Sequence, residues 1–433
     1  MQQTTGTTYF KDTRPHYKLL DGLRGVAALM VVWYHVFEGF GFAGAVNGVS
    51  DGSITTFNHG YLAVDFFFML SGFVISYAYD GRWGSGRGCS GSGTSGCCSP
   101  AGSLTLAGFI RRRLIRLHPM VIMGAIIGAI SFCIAGGTNW IGEAISWQNI
   151  ALALVLGMLL IPAWPGARFD VRGNGEMYPL NGPSWSLFFE YIGNILYALL
   201  IRKLSTKWLK CLTATLGVCF AIFAITNTSG YGSIGVGWTL DCTNFFGGLV
   251  RMLFPFTLGM LIRRTLFNRL AAQQATHHSN TTSSAAAHSL ADKHAFAICS
   301  ALLFVIFSVP FLGAGEHFSP NGIYETLCIA VIFPAITILA ASSTGGGDGC
   351  SSNSVGAITK YLGDLSYPLY IVHYPVMYLF YKWLINTGHY TLGSCWPAVI
   401  LVLCTSLALA TLCLKLYDEP VRKWLSKTLR KNL

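Results

Sequence analysis

Charged side chains are scarce in this chain. Asp, Glu, Lys and Arg together make up 11% of 433 residues, where a soluble domain carries about a quarter. Hydrophobic residues reach 52% and the mean hydropathy is +0.51, so most of the surface must face something other than water. A small-residue cleavage site is missing after the first apolar run, which leads instead into Trp33, Tyr34 and His35. No cleavable signal peptide is therefore expected. The 13 cysteines show no metal-ligand spacing. Many lie inside apolar runs, as Cys133, Cys299 and Cys404 do, where a small apolar thiol is the ordinary reading. No inverted repeat of the kind used by secondary transporters is visible. The net charge of +11 sits in short clusters between apolar runs rather than on one face, which argues against a nucleic-acid partner.

What is abundant is apolar sequence in runs of membrane length. A hydrocarbon layer of ~30 Å needs about 20 apolar residues in a helix. Such runs fall at 19–40, 60–79, 117–137, 184–203, 210–227, 245–265, 295–313, 324–343, 361–386 and 396–417. A further run at 150–164 is shorter and ends near Pro162, Trp164 and Pro165. If 150–164 does not cross and the N-terminus is cytoplasmic, 23 of the 29 basic residues fall on the inner side and two, Arg168 and Arg172, in outer loops. If it crosses, the clusters at 202–210, 263–293 and 422–431 move outside. Positive charge favours the cytoplasmic side. The expected fold is all-α: a polytopic bundle of about ten transmembrane helices plus one re-entrant or interfacial segment on the outer side, both termini cytoplasmic. An arm (1–18), a membrane domain (19–417) and a basic tail (418–433) follow. Low-complexity stretches 81–103, with Cys97–Cys98, and 271–293, with His277, His278 and His288, read as flexible cytoplasmic loops.

Ionisable groups at bilayer depth are expensive and point to function. Arg24 and His35 share the first run. Eleven residues of helix rise ~16 Å and return within ~20° of one face. One stripe thus presents a cation near the inner mouth and an imidazole beyond the middle. The pair reads equally as a snorkelling arginine and a structural histidine. Asp65, followed by Ser71, enters from outside on the second run, and Glu190 enters from outside after Trp185 and Ser186 on the fourth. Three ionisable groups on three helices are expected at roughly one depth, where a carboxylate beside His35 would orient a general base. Arg113 and Arg116 are three apart, a spacing that suits phosphates and equally suits a cluster that only sets topology. The ninth run carries Tyr370 and His373 between Pro368 and Pro375, and Arg251 is a buried cation with no partner legible in the sequence.

Taken in order, these stretches resemble acyltransferase family 3, integral-membrane enzymes that modify sugars and other extracytoplasmic acceptors. The resemblance runs through Leu20-Asp21-Gly22-Leu23-Arg24-Gly25 to His35, through Val64-Asp65-Phe66-Phe67-Phe68-Met69-Leu70-Ser71-Gly72, and through Arg113-x-x-Arg116 before Pro119. It continues through Trp185-Ser186-Leu187-x-x-Glu190 to Leu362-Gly363-Asp364-Leu365-Ser366-Tyr367-Pro368-Leu369-Tyr370-Ile371-Val372-His373. It implies that His35 is essential, with Glu190 and Asp65 assisting, and that Arg24, Arg113 and Arg116 handle the donor. Ser71, Trp185, Ser186, Tyr370 and His373 are supporting positions. The donor implied is acyl-CoA, most simply acetyl-CoA, as a co-substrate rather than a bound cofactor. The acceptor implied is a hydroxyl of a carbohydrate or other small molecule, with no appended esterase-like domain to handle it. The competing expectation is a proton-coupled carrier that uses His35, Asp65 and Glu190 as a relay.

Overall fold

A computed structural model of the chain describes residues 17–49, 59–83, 104–276, 285–343 and 353–430. The expectations for residues 1–16, for Cys97–Cys98 and for His277, His278 and His288 fall outside the described residues and side chains. The helices are α1 (Lys18–Val46), α2 (Ala63–Tyr79), α3 (Leu106–Ile134), α4 (Trp147–Met158), α5 (Ser184–Leu199), α6 (Thr206–Ile225) and α7 (Cys242–Thr276). They continue with α8 (Ala285–Ser308), α9 (Pro320–Leu327), α10 (Phe333–Ser342), α11 (Asn353–Thr387), α12 (Leu392–Leu412) and α13 (Glu419–Arg430). Wide turns at Cys328–Ile332 and Cys413–Asp418 join α9 to α10 and α12 to α13. Each expected crossing falls on a helix, and no strand forms among the described residues. Among the described residues, eight helical stretches are long and apolar enough, by length and composition, to cross a membrane. The other two expected crossings are α8, whose apolar part His294–Ser308 is shorter, and α11, rich in tyrosine.

Local chemistry sets the helix starts. Thr105, Ser146 and Ser319 each accept a backbone N–H of the first turn, from Gly108, Asn149 and Gly322, as N-cap hydroxyls do. The third crossing begins earlier than hydropathy suggests. From Leu106 the helix runs unbroken through Pro119, so Arg111–Arg116 lie on its first turns rather than in a loop. Likewise α7 runs to Thr276, and the expected basic tail is helical from Glu419 to Arg430.

The crossings alternate in direction, which collects the basic clusters at one end. There Arg264 donates to Asp80 Oδ2 at 2.8 Å and to Leu204 O at 2.8 Å, and the Arg202 guanidinium lies 4.0 Å from the Trp83 ring centroid. At the far end Asn47 Nδ2 reaches Ile385 O at 2.9 Å and His59 Nδ1 reaches Val309 O at 2.8 Å. Helix α4 starts at the far end and resolves the ambiguous run. Its 12 residues extend ~18 Å, short of a ~30 Å layer. It descends beside α3, Gly157 against Ala125, and reverses at Leu160 in the left-handed region (φ 56°). Tyr178 OH, on the returning loop, donates to Leu160 O at 2.8 Å. The segment is re-entrant.

Small residues let the helices carrying the site approach closely. A Cβ at Gly72 of α2 would lie 1.9 Å from Phe256 O of α7, and one at Gly259 of α7 would lie 2.0 Å from Met69 O of α2. On α1, a Cβ at Gly25 would lie 2.4 Å from Leu362 O of α11. In each case the obstacle is backbone, which cannot rotate away. Gly72→Ala is therefore expected to destabilise by about 1–3 kcal/mol or more, seen as a lower melting temperature in detergent. Gly81→Ala, where nothing lies within 4 Å, should leave the melting temperature unchanged.

Candidate functional site

Two cavities lie end to end along α1, α2, α5 and α11. The larger, about 890 Å³, opens at the basic end and is lined by Arg24, Arg113, Arg116, Ser71, Glu190 and Tyr367 among others. The smaller, about 330 Å³, lies toward the far end and is lined by His35, Glu38, Glu176, Trp185, Arg251 and a set of tyrosines. Val64 and Tyr370 line both and form the partition between them. Tyr370 is fixed in that place. Ser186 Oγ donates to Pro183 O at 2.9 Å, so the Tyr370 hydroxyl donates to Ser186 Oγ at 2.8 Å. Phe67 packs edge-on against the Tyr370 ring at 5.5 Å.

The three expected donor cations meet in the larger cavity. Arg113 Nη2 donates to Glu190 Oε1 at 2.7 Å, and Ser71 Oγ donates to the same oxygen at 2.8 Å. Arg24 reaches Asp21 Oδ1 at 3.4 Å. Glu190 is therefore not beside His35, as equal depth suggested. Its bond to Ser71 places it six residues of helix, ~9 Å, nearer the basic end than Asp65. Asp65 is not beside His35 either. It is fully buried against Arg251 of α7, which donates from Nε to Oδ1 at 3.0 Å and from Nη2 to Oδ2 at 2.9 Å. The cation that lacked a partner in the sequence and the carboxylate assigned to His35 are partners of each other.

The carboxylate that does meet His35 is Glu38, one turn on along α1. Its Oε2 lies 2.5 Å from His35 Nδ1 and accepts from Tyr381 OH at 3.0 Å. Residues three apart on a helix face together, so this pair was available from the sequence and was missed. With Nδ1–H directed at a carboxylate, Nε2 is the basic nitrogen. His373 packs behind, its ring centroid 5.2 Å from that of His35. Its Nδ1 donates to Leu369 O at 3.0 Å, while Nε2 is buried with no partner among the described residues. Trp185 lies on the opposite wall, 5.1 Å from the Arg251 guanidinium.

The loops 159–183 and 226–241 line the far cavity. Glu176 accepts from Tyr378 OH and from Asn174 Nδ2. Burial raises its carboxyl pKa above the ordinary range, opposed by nearby Arg172. The Arg172 guanidinium stacks 3.4 Å from the Tyr378 ring centroid and donates to Pro179 O at 2.6 Å. Glu325 of α9, wholly buried, takes Tyr61 OH at 2.5 Å and the Ile234 N–H at 3.0 Å, tying the 226–241 loop to the bundle.

An imidazole paired with a carboxylate thus lines one cavity, and an arginine-lined cavity adjoins it. The sequence profile of a family described as an acyltransferase domain matches residues 17–415. The chain belongs to acyltransferase family 3. It is 26% identical over 389 residues to the acyltransferase MdmB of Streptomyces mycarofaciens, covering 87% of this chain and 80% of that protein. It is 34% identical over 186 residues to protein 2 in the picA locus of Rhizobium radiobacter, covering 42% of this chain and 80% of that one. No solved structure matches. Membership makes this protein an integral-membrane acyltransferase, and the expectation of a proton-coupled carrier gives way to it.

Proposed function

We propose that this acyltransferase takes an acyl group, most simply acetyl, from a coenzyme-A thioester in the vestibule and delivers it to a hydroxyl in the far cavity. The acceptor is a carbohydrate or a similar small polyol. The vestibule faces the cytoplasm, and both termini lie on that side. The observation that carries this is the partition at Tyr370 and Val64, with arginine side chains on one side and an oriented imidazole on the other. Arg24 and His35 are separated by ~16 Å of helix, a span that an extended pantetheine arm covers.

In the reaction His35 Nε2 removes the proton of the acceptor hydroxyl as its oxygen attacks the thioester carbonyl. The C–S bond then breaks, the coenzyme leaves as a thiolate, and the imidazolium returns the proton to sulfur. Glu38 keeps Nδ1–H in place and balances the imidazolium charge. Aromatic faces and carboxylates on the far walls suit a polyol, whose hydroxyls donate to Glu176 while its C–H faces pack on Trp185 and Tyr374.

The test uses purified protein in vesicles with acetyl-labelled acetyl-CoA and simple hexoses. One free thiol should appear for each labelled ester formed, and only when the donor is on the side of the basic end. A thioester that stays intact while the label crosses the vesicle would overturn the proposal.

A further inference from the structure

The far margin of the vestibule is built by the last turns of the chain. The wide turn Cys413–Asp418 sets Asp418 into the vestibule wall, buried to 1%, and Arg422 one turn later donates to its Oδ2 at 2.9 Å. The other oxygen, Oδ1, is buried with no partner among the described residues. A buried carboxylate oxygen without a donor is costly, so Asp418 depends on Arg422 for its charge partner. Six cationic side chains line the vestibule against four carboxylates, so it is electropositive overall. Side-chain exposure rises from Arg113 at 6% through Arg24 at 18% to Arg422 at 35%, and Arg116 and Lys360, which also line the vestibule, are exposed. Helix α13 packs on α3, which brings the wall carrying Arg422 beside that carrying Arg116.

We propose that Arg422, aimed by Asp418 and joined by Lys360, receives a phosphate monoester at the vestibule mouth, the 3′-phosphate of the coenzyme's ribose. This rests on the donor reading above. The order of charges along the cavity matches the order of groups along the donor: thioester at the partition, pyrophosphate at Arg113 and Arg24, ribose phosphate at the more accessible Arg422 and Lys360. Asp418 is a positioning residue here, because it fixes the guanidinium that makes the contact.

Full-length Arg422→Gln and wild-type protein are compared with acetyl-CoA and with acetyl-3′-dephospho-CoA, in vesicles of phosphatidylcholine alone and with added phosphatidic acid. Losing one charge-assisted phosphate contact should raise the wild-type KM about tenfold on going to the dephospho donor. Arg422→Gln should raise the KM for acetyl-CoA by a similar factor, leave that for the dephospho donor unchanged, and keep kcat. Arg422→Lys should recover part of the loss, and equal melting temperatures would exclude a folding defect. Equal KM changes with both donors, or none, would overturn the proposal. A shift seen only with phosphatidic acid would assign the site to a lipid headgroup and also overturn it. No turnover by wild type with either thioester would instead remove the donor reading, and this inference with it.

Discussion

His35→Ala should lower acyl transfer by about 10²–10⁴-fold, the usual contribution of a positioned general base, while the protein remains folded in the membrane. The donor KM should stay near its wild-type value, because the arginines proposed to hold the donor line a separate cavity from the imidazole. Glu38→Gln keeps an acceptor for Nδ1–H but removes the charge that balances the imidazolium, so a smaller drop in kcat is expected. The double variant should be hardly worse than His35→Ala alone, since a carboxylate that acts through an imidazole has nothing to act on once the imidazole is gone. Initial rates at saturating donor, normalised to monodisperse protein, decide it. Additive losses would show that Glu38 acts by another route, and a fully active His35→Ala would remove the imidazole from the chemistry.

The crossings were legible because lipid imposes a length and a composition on every one of them. The asymmetry of the basic residues then ordered them, and charge alone marked 150–164 as a segment that does not cross, re-entrant or interfacial; the reversal at Leu160 chooses the first. What the sequence withheld was the register between helices. Asp65 and Glu190 lie at similar distances from the start of their runs, yet α5 is set against α2 so that Glu190 meets Ser71 and Arg113. Both helices are set by their contacts with α7, α2 through Gly72 against Phe256 and α5 through Gly193 against Met252, and no single run encodes that arrangement. Arg251 looked unpaired for the same reason. Glu38 is a different case: its relation to His35 is internal to one helix and needed only the three-residue spacing. The walls supplied by Asn174, Glu176 and Trp238 come from irregular loops, where periodicity gives no guide.

Asp65→Asn should be among the most damaging single changes to stability, about 3–5 kcal/mol, because it leaves the Arg251 guanidinium charged, buried and without its counter-ion. Arg251 is 3% exposed and Asp65 wholly buried, so solvent cannot substitute. The pair itself need not be a net source of stability, since desolvation of two charges offsets much of their attraction. Asp65→Asn combined with Arg251→Gln should therefore recover most of the melting temperature lost by Asp65→Asn. Activity should not recover in parallel. Arg251 also donates from Nη1 to Val236 O at 3.2 Å and from Nη2 to Tyr61 O at 3.0 Å, so it ties the 226–241 loop and the start of α2 to α7 across the far cavity. The rescued double variant is expected to show a raised acceptor KM and an unchanged donor KM. A double variant as unstable as Asp65→Asn would mean that the ion pair holds the bundle together directly. One with normal acceptor kinetics would mean that the far wall keeps its shape without Arg251.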